Sequence, residues 1–504
     1  MNTRGTAPAG AVAWGTPTAR WSLAATVLGS GMAFLDSTAV TVALPAIRQE
    51  WDTGLSGLQW VVNGYMVTLS ALILLSGSLS DRFGRVRLFT TGVCVFALAS
   101  VLCVFAPTLG WLVAGRVVQG VGGALLTPGS LAILQAGFRE EDRARAIGAW
   151  SGLTGVASAA GPFAGGWLVQ IGDWRLIFLI NVPLAAAVLL IAWFKVPESL
   201  DTAAGHRLDL PGALLGVVAL GGITYALIQW GAVGGTPAVW TGAGVGAAAL
   251  ALFVAVERRS GDPMLPPGLF ASPAFTVANL VTVLVYGSLG PLLFLLVVYL
   301  QEAGGYTPVA AGAASLPVTL LMLALSARAG RLAARIGPRP QLVAGPVLLA
   351  GGFLLLSRLG TADPYVTGVL PGVLLVGLGL STAVAPLTST VLAAAPERHA
   401  GLASGINNTF ARGAQLIGVA AVPVLAGIGG AGDPGGGSGA LADGFGSAMA
   451  ILAGLCAAAA LLALALPRGR VTAPAAERPG RFCGVSGPPL RECPGSCAGH
   501  SDCR

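Results

Sequence analysis

Three ionisable side chains interrupt stretches of the sequence that are otherwise apolar, namely Asp36, Arg116 and Arg412. An ionised group inside a hydrocarbon layer costs at least about 2.5 kcal/mol, so it normally faces a cavity or pairs with another group. A carboxyl group in such a place can change its protonation state during a reaction cycle, because burial disfavours the charged form. Proton binding and release is therefore the chemistry that Asp36 predicts.

Asp36 and Arg116 lie at similar depths. At about 1.5 Å per residue, Arg116 is on the order of 10 Å inside one membrane face, and Asp36 is roughly 20 Å from the opposite face. We therefore predict that the two side chains are placed together and that Arg116 tunes or releases a proton on Asp36. The alternative is a purely structural Asp36 that the hydroxyls of Ser37 and Thr38 help to satisfy.

Further polar residues in the apolar stretches are candidates for a substrate cavity. Gln119 lies one helical turn from Arg116 and could either contact substrate or join two helices. Amide side chains occupy successive turns around Arg412, and a buried cation with amides nearby predicts a cavity or a gate. An arginine paired with carbonyl groups to hold the helices together is equally open. The cavity candidates are Gln119, Asn407, Asn408, Arg412 and Gln415.

The composition indicates that these residues lie in a membrane. The 504-residue chain is 55% hydrophobic and 10% charged, with a mean hydropathy of +0.79, whereas soluble domains carry about 25% charged residues. A spanning helix needs about 20 mostly apolar residues, and this length predicts fourteen spans. They are 22–45, 58–80, 87–106, 111–134, 146–170, 174–194, 211–230, 238–256, 275–300, 309–330, 341–358, 366–390, 402–426 and 445–466.

The charge pattern predicts the orientation of the spans. The net charge of +7 lies in short basic runs between apolar stretches, which argues against nucleic acid binding. If both termini are cytoplasmic, most of the 28 Lys and Arg residues are inside, and only Arg48, Arg175 and Arg358 are outside. The positive-inside rule therefore predicts a cytoplasmic N-terminal segment, 1–21, and a cytoplasmic disordered tail, 467–504.

Two separate parts of the sequence repeat at one offset. The aligned pairs are Gly77 with Gly330, Arg82 with Arg335, Gly84 with Gly337 and Arg145 with Arg398. A shared offset predicts duplication of a six-helix unit, with both copies in the same orientation and substrate bound between them. The fold class is thus an all-α polytopic membrane protein with bundles at 22–194 and 275–466. The linker between them, 195–274, carries two inserted helices.

The loop after the second span reads GSLSDRFGRVR, beginning at Gly77. Gly77 and Gly84 would let two helices and a tight turn approach closely, while Asp81 could sit at a helix N terminus or pair with arginine. Arg82 and Arg85 would hold the cytoplasmic face. This loop resembles the cytoplasmic signature of the major facilitator superfamily, and we predict that its residues control conformational change.

Other segments resemble the fourteen-helix drug:proton antiporter branch of that superfamily. They are LDSTAVTVALP around Asp36, AGRVVQGVGG around Arg116, GLTGVASAAGPFAGG in the fifth span, and DWRLIFLINVP at the start of the sixth, which we assign to structure. In the fifth span, proline removes a backbone hydrogen bond and glycines permit close helix contact. The predicted seam and gating residues are Gly155, Gly161, Pro162, Gly165 and Gly166.

The resemblance covers roughly residues 20–466. It implies a proton-coupled antiporter, not an enzyme, that exports lipophilic or cationic drugs or antibiotics by alternating access across the cytoplasmic membrane of a bacterium. It also implies a proton gradient instead of a cofactor, with protons and membrane lipid as partners of a monomer. A proton-coupled importer of a small nutrient and a non-transporting membrane sensor are the alternatives.

The cysteine-rich tail does not predict a metal site. Its candidate ligands lack the paired short spacings that mark zinc sites. The residues are Cys483, Cys493, Cys497, His500 and Cys503. The sequence also contains no recognisable phosphate-binding loop or nucleophile triad, which favours an ion gradient as the energy source.

Overall fold

A computed structural model describes residues 12–198, 209–260, 263–396, 399–428 and 438–467. Over these residues the chain is almost entirely helical, with one isolated β-bridge between Val12 and Phe138 and no strand. The cysteine-rich tail, including Cys483 and His500, lies outside the described residues.

The first half of the chain forms six long helices. They are α1 Pro17–Trp51, α2 Leu55–Phe83, α3 Arg85–Val104, α4 Leu109–Gly137, α5 Glu140–Ile171 and α6 Leu176–Lys195. The Thr16 hydroxyl caps α1 by accepting a hydrogen bond from the Ala19 amide, and Pro17 occupies the first helical position. The helix therefore begins before the predicted span at 22. Within α6, a turn at Ile180 joins two helical segments.

Eight long helices follow. They are α7 Leu210–Val233, α8 Pro237–Arg259, α9 Pro273–Glu302, α10 Pro308–Ile336, α11 Arg339–Leu356, α12 Tyr365–Ala393, α13 Ala400–Leu425 and α14 Ser438–Ala463. A break at Ala314 and Ser315 interrupts α10. The first turn of α12 is a π-helix, Tyr365–Val369.

Twelve helices of the described ranges are long and apolar enough to cross a membrane. The two other long helices, α5 and α13, are not among them. Both are rich in glycine and polar residues, and both contact the opposite half of the molecule. A helix that faces protein needs a less apolar surface than one that faces lipid. The count of fourteen spans therefore stays a prediction at α5 and α13.

The helix contacts repeat between the two halves. In the first half the packed pairs include α1–α5, α1–α6, α2–α4, α3–α4 and α3–α6. In the second half they include α9–α13, α9–α14, α10–α12, α11–α12 and α11–α14. Adding eight to each helix number converts one set into the other, which is the contact pattern of two parallel six-helix units. The remaining pair, α7 and α8, pack together, and α7 also contacts α2 and α13.

Polar contacts join the two halves at one end of the bundle. This end, where α1 ends and α2 begins at residues 51–55, is called the α1–α2 end. There Arg48 Nη1 of α1 lies 2.6 Å from Glu302 Oε2 of α9. Gln59 Nε2 of α2 donates to the Val419 carbonyl of α13 at 2.7 Å. These polar contacts join helices from different halves, so they must break if this end is to open.

The seam between α5 and α10 widens away from the α1–α2 end. A Cβ atom added at Gly166 would lie 2.5 Å from the Pro308 carbonyl oxygen, whereas one at Gly155 would lie 3.7 Å from the Leu323 side chain. At Gly148 it would meet nothing within 4 Å. At this seam the halves therefore touch near the α1–α2 end and separate along α5, whereas on the other side Gly405 of α13 stays close to Leu74 of α2, with an added Cβ 3.1 Å from that side chain.

The close contact at Gly166 yields a prediction. Gly166→Ala should force the α10 backbone outward, and overpacking of this kind costs about 1–3 kcal/mol. The apparent melting temperature of the detergent-purified protein should fall. Gly148→Ala is the matched control, because it lies five turns away on the same face of α5, has open space and gains helix propensity. Equal melting temperatures for the two variants would contradict the close approach.

Candidate functional site

Asp36 of α1 and Arg116 of α4 form an ion pair inside the first half. The Arg116 Nη1 atom lies 2.5 Å from Asp36 Oδ2, and their side chains are 2% and 0% exposed. Each charge offsets part of the cost of burying the other. The two residues that the sequence places at similar depth are in contact, while their role in proton coupling stays a prediction.

Three further polar side chains surround Asp36. Gln119 Nε2 and Asn181 Nδ2 donate to Asp36 Oδ1 at 2.9 and 2.8 Å. The same two amides donate to Ser100 Oγ at 3.0 and 3.3 Å. Arg116 Nη1 also donates to Gln119 Oε1 at 2.7 Å. Gln119 therefore joins helices in this conformation, and Asp36 accepts hydrogen bonds from three donors.

Sequence reasoning missed Asn181 and Ser100. It assigned the start of the sixth span to structure, yet Asn181 binds Asp36. The available signal was a lone amide and a lone hydroxyl in apolar stretches. The alternative partners of Asp36 are not used, because the hydroxyls of Ser37 and Thr38 donate to the Phe34 carbonyl of their own helix, at 2.9 and 3.0 Å.

Aromatic side chains close the site around Arg116. The guanidinium carbon lies 4.6 Å from the ring centroid of Tyr65 and 5.8 Å from that of Phe178. Its Nε donates to the Val61 carbonyl at 3.1 Å. Cation–π contacts and a carbonyl acceptor stabilise the charge without water, so Arg116 is held on every side by α1, α2, α4 and α6.

The second-half candidates do not form one cluster. Arg412 of α13 is half-buried, with its guanidinium carbon 5.5 Å from the ring centroid of Phe34 in α1. Asn407 Oδ1 accepts from the Thr282 hydroxyl of α9 at 2.7 Å, while Asn408 is exposed.

Gln415, the remaining cavity candidate, packs its backbone closely against Gly290 of α9. Among these residues, Arg412 is the one that contacts an aromatic ring of the opposite half.

The predicted seam residues of α5 divide between two neighbours. Gly161 and Gly165 face α1, where an added Cβ at Gly165 would lie 2.8 Å from Ala39. The Pro162 carbonyl lies against Gly312 of α10, and Gly166 faces α10 as well. Helix α5 thus contacts both α1, which carries Asp36, and α10 of the opposite half. Such a helix is suitable for passing a movement of α1 to α10. A gating role for these residues stays a prediction.

The predicted loop after the second span is mostly helical, because α2 runs to Phe83 and α3 begins at Arg85, so only Gly84 joins them. This junction is held by an acid that the sequence did not indicate. Glu198, which follows α6 and has a 4% exposed side chain, accepts hydrogen bonds from the Val86 and Arg87 amides at 2.9 and 3.1 Å. Its carboxylate therefore caps the N terminus of α3. Gly84 has φ +100, and an added Cβ would lie 3.0 Å from this carboxylate, so glycine is required there on two grounds.

The other loop candidates contribute less to the described contacts. Arg82 lies 5.6 Å from the ring centroid of Phe83, and a Cβ added at Gly77 would have open space. Arg85 begins α3. The side chain of Asp81 lies outside the described part of the chain, so its predicted pairing is untested.

The start of α6 is anchored to the end of α1. Arg175 Nη2 lies 2.5 Å from Glu50 Oε1, and Trp174 Nε1 donates to Glu50 Oε2 at 2.6 Å. The hydrogen bond to Glu50 raises the pKa of Arg175. These contacts fix the helix that presents Asn181 to Asp36.

Two parallel six-helix units, a buried ion pair in one and a seam between them are the features of a rocking-bundle membrane transporter. The chain belongs to the Major Facilitator Superfamily, whose family model matches residues 26–419. It is therefore a multi-pass membrane transporter and not an enzyme.

Its relatives include proteins named for drug resistance and export. Multidrug resistance protein Stp of Mycobacterium tuberculosis is 38% identical over 391 residues, covering 76% of this chain and 72% of the relative. The tetracenomycin C resistance and export protein of Streptomyces glaucescens is 33% identical over 410 residues, covering 80% and 75%. The crystal structure of a D-xylose-proton symporter has a TM-score of 0.64 at 15% identity, covering 89% and 97%. At that identity, the symporter shows the shared fold alone.

The Glu198 cap can be tested by stability. Glu198→Ala removes the acceptor for two amides of α3, and losing such a cap costs about 1–2 kcal/mol. The apparent melting temperature should fall, and Glu198→Gln, which keeps one acceptor oxygen, should recover part of the loss. Glu141→Ala, at an exposed position in the first turn of α5, is the control and should change little. An unshifted melting temperature for Glu198→Ala would rule out the cap.

Proposed function

We propose that this protein is a proton-coupled antiporter that exports small lipophilic drug or antibiotic molecules from the cytoplasm. The observation that carries the proposal is the Asp36–Arg116 ion pair, which is buried from water inside the first half of the molecule. The names of the relatives, which are resistance and export proteins, support a small drug-like substrate. The absence of a nucleotide motif in the sequence supports an ion gradient as the energy source.

Protonation would disrupt the present arrangement because every partner of Asp36 is a donor. Arg116, Gln119 and Asn181 all donate hydrogen bonds to its carboxylate. A protonated carboxyl gains a donor O–H and loses its negative charge, so at least one donor must move and Arg116 loses its counter-charge. The proton therefore acts as a switch for the positions of α1, α4 and α6.

The switch has a direct path to the seam. Ala39 lies one turn beyond Asp36 on α1 and contacts Gly165, and the next residue, Gly166, touches Pro308 of the opposite half. Tight packing of small residues transmits displacement because close-packed interfaces have little room to deform. Movement of α1 on protonation is thus passed through α5 to α10.

With the orientation that the charge pattern predicts, the α1–α2 end faces outward. The contact between Arg48 and Glu302 then closes the outer side, and the widening of the seam along α5 opens the inner side. This arrangement is the loading state of an exporter, in which the compound enters from the cytoplasm or inner leaflet. The cycle continues when protons arrive from outside after the halves rock. We place the protein in a bacterial cytoplasmic membrane as a lipid-embedded monomer with both termini inside.

Everted membrane vesicles test this function. Energised vesicles with the wild-type protein should accumulate tetracenomycin C, the compound named for one of the relatives, and a protonophore should abolish the accumulation. Asp36→Asn removes the proton site and should reduce accumulation to background. Arg116→Gln should do the same, since it leaves a buried carboxylate without its partner.

Ser37→Ala is the control, because the Ser37 hydroxyl bonds only within α1, and it should retain full accumulation. Proton-driven accumulation of tetracenomycin C by Asp36→Asn would contradict the role of Asp36. Accumulation in right-side-out vesicles would indicate an importer instead, and no protonophore-sensitive flux in either preparation would favour a sensor.

A further inference from the structure

Arg412 stands at the centre of the molecule, between the halves. It is at the midpoint of the 26-residue helix α13, and its guanidinium lies 5.5 Å from the ring centroid of Phe34, at the midpoint of α1. It is also close enough to Tyr65 of α2 and Tyr286 of α9 to interact electrostatically with both phenols. Arg412 therefore faces helices of both halves at mid-membrane depth.

Among the described residues, no acid compensates the charge of Arg412. Over the described residues, Arg412 forms no ion pair and no hydrogen bond, and its contact is the face of Phe34. An arginine bound to carbonyl groups for packing would need such a bond, and the described residues provide none to Arg412. A half-buried cation at membrane depth has a strong electrostatic preference for an anion, and guanidinium binds carboxylates through two parallel hydrogen bonds.

Asp36 cannot serve as that anion, nor can it bind a cationic substrate in this conformation. Its side chain is 0% exposed, one oxygen is bound by Arg116, and the other is bound by Gln119 and Asn181. Tyr65, whose ring lies against the Arg116 guanidinium, also interacts electrostatically with Arg412. Since Asp36 is already bound, the charge that Arg412 offers to a compound between the halves is positive.

A second polar group is available on the helix that meets α13. Asn63 of α2 is fully buried, and neither its amide nitrogen nor its carbonyl oxygen has a partner in the described ranges. It lies one turn from Gln59, which bonds to the Val419 carbonyl of α13, so it is on the side of α2 that faces the other half. A buried, unpaired amide costs free energy in this state, and a ligand that forms a hydrogen bond to it would recover part of that cost.

We propose that Arg412 binds an acidic group of the exported compound, so that the preferred substrates are lipophilic acids rather than cations. The Phe34 ring packs against the apolar part of the compound, and Asn63 supplies a further hydrogen bond when the compound is bound. This proposal rests on the proposed export function and names its substrate class. It also separates two tasks, since Asp36 carries the proton and Arg412 selects the charge of the cargo.

Three fluorescent probes with one ring system and different charge test the proposal: 1-pyreneacetate, 1-pyreneacetamide and 1-pyrenemethylamine. Binding is measured by fluorescence titration of the full chain in lipid nanodiscs. The acid should bind the wild-type protein at least about tenfold more tightly than the amide or the amine, as one charge-assisted hydrogen bond of about 1.5 kcal/mol implies.

Arg412→Gln should weaken acid binding at least about tenfold and leave amide binding unchanged, whereas Arg412→Lys should retain most of the acid preference. Arg331→Gln removes the same charge from an exposed position on α10 and should bind like the wild type. Unliganded melting temperatures show whether each variant is folded.

Preferred binding of the amine, no binding of the acid to wild-type protein, or equal acid binding by Arg412→Gln would overturn the proposal. In each case, protonophore-sensitive accumulation of any compound by wild-type vesicles would show that the export function stands. Acid binding through Arg412 without such accumulation would instead reject the export function and leave the binding site in place.

Discussion

The need to compensate a charge inside a membrane shapes the first half of this protein. Asp36 and Arg116 are each too costly to bury alone, so α1 and α4 must meet where these residues face one another. Gln119 and Asn181 donate hydrogen bonds to the second carboxylate oxygen of Asp36. Because Asn181 belongs to α6, this bond brings α6 to the same site. The anchoring of Arg175 to Glu50 keeps α6 in that position. One ion pair thus fixes the relative placement of several helices, and in the proposed function a proton on Asp36 would change that placement.

Small residues extend this dependence to the rest of the molecule. α5 approaches α1 through Gly165 and α10 through Gly166, at distances that exclude even a methyl group. Contacts as close as these leave little room for one helix to shift without displacing its neighbour. The polar contacts at the α1–α2 end, such as that of Arg48 with Glu302, then hold one closed arrangement. The structure thus combines a buried ion pair, a closely packed helix seam and a polar contact that joins the halves at one end.

The two membrane-depth arginines show how one residue type serves different purposes in a duplicated fold. Arg116 is enclosed by an acid, an amide, a carbonyl and aromatic faces. Arg412 lies between the halves with an aromatic face as its contact. The contact pattern of the helices repeats from one half to the other, yet the charges do not. In the proposed function, such asymmetry would let one half respond to protons while the other presents a charge to the cargo.

The sequence by itself determined the membrane fold, the duplication and the likeness in depth of Asp36 and Arg116. These follow from hydropathy, from the repeat and from the fixed rise of a helix, all of which are local properties. Only the tertiary structure decided which polar groups meet. Asn181 and Glu198 each lie far along the chain from the groups they bind, and no spacing rule connects them. The sequence likewise left Gln119 and Arg412 with two interpretations each, because burial and partnership depend on how helices rotate against one another. In the folded chain Gln119 is a bonded part of the Asp36 site, and Arg412 is not bonded to the protein over the described residues.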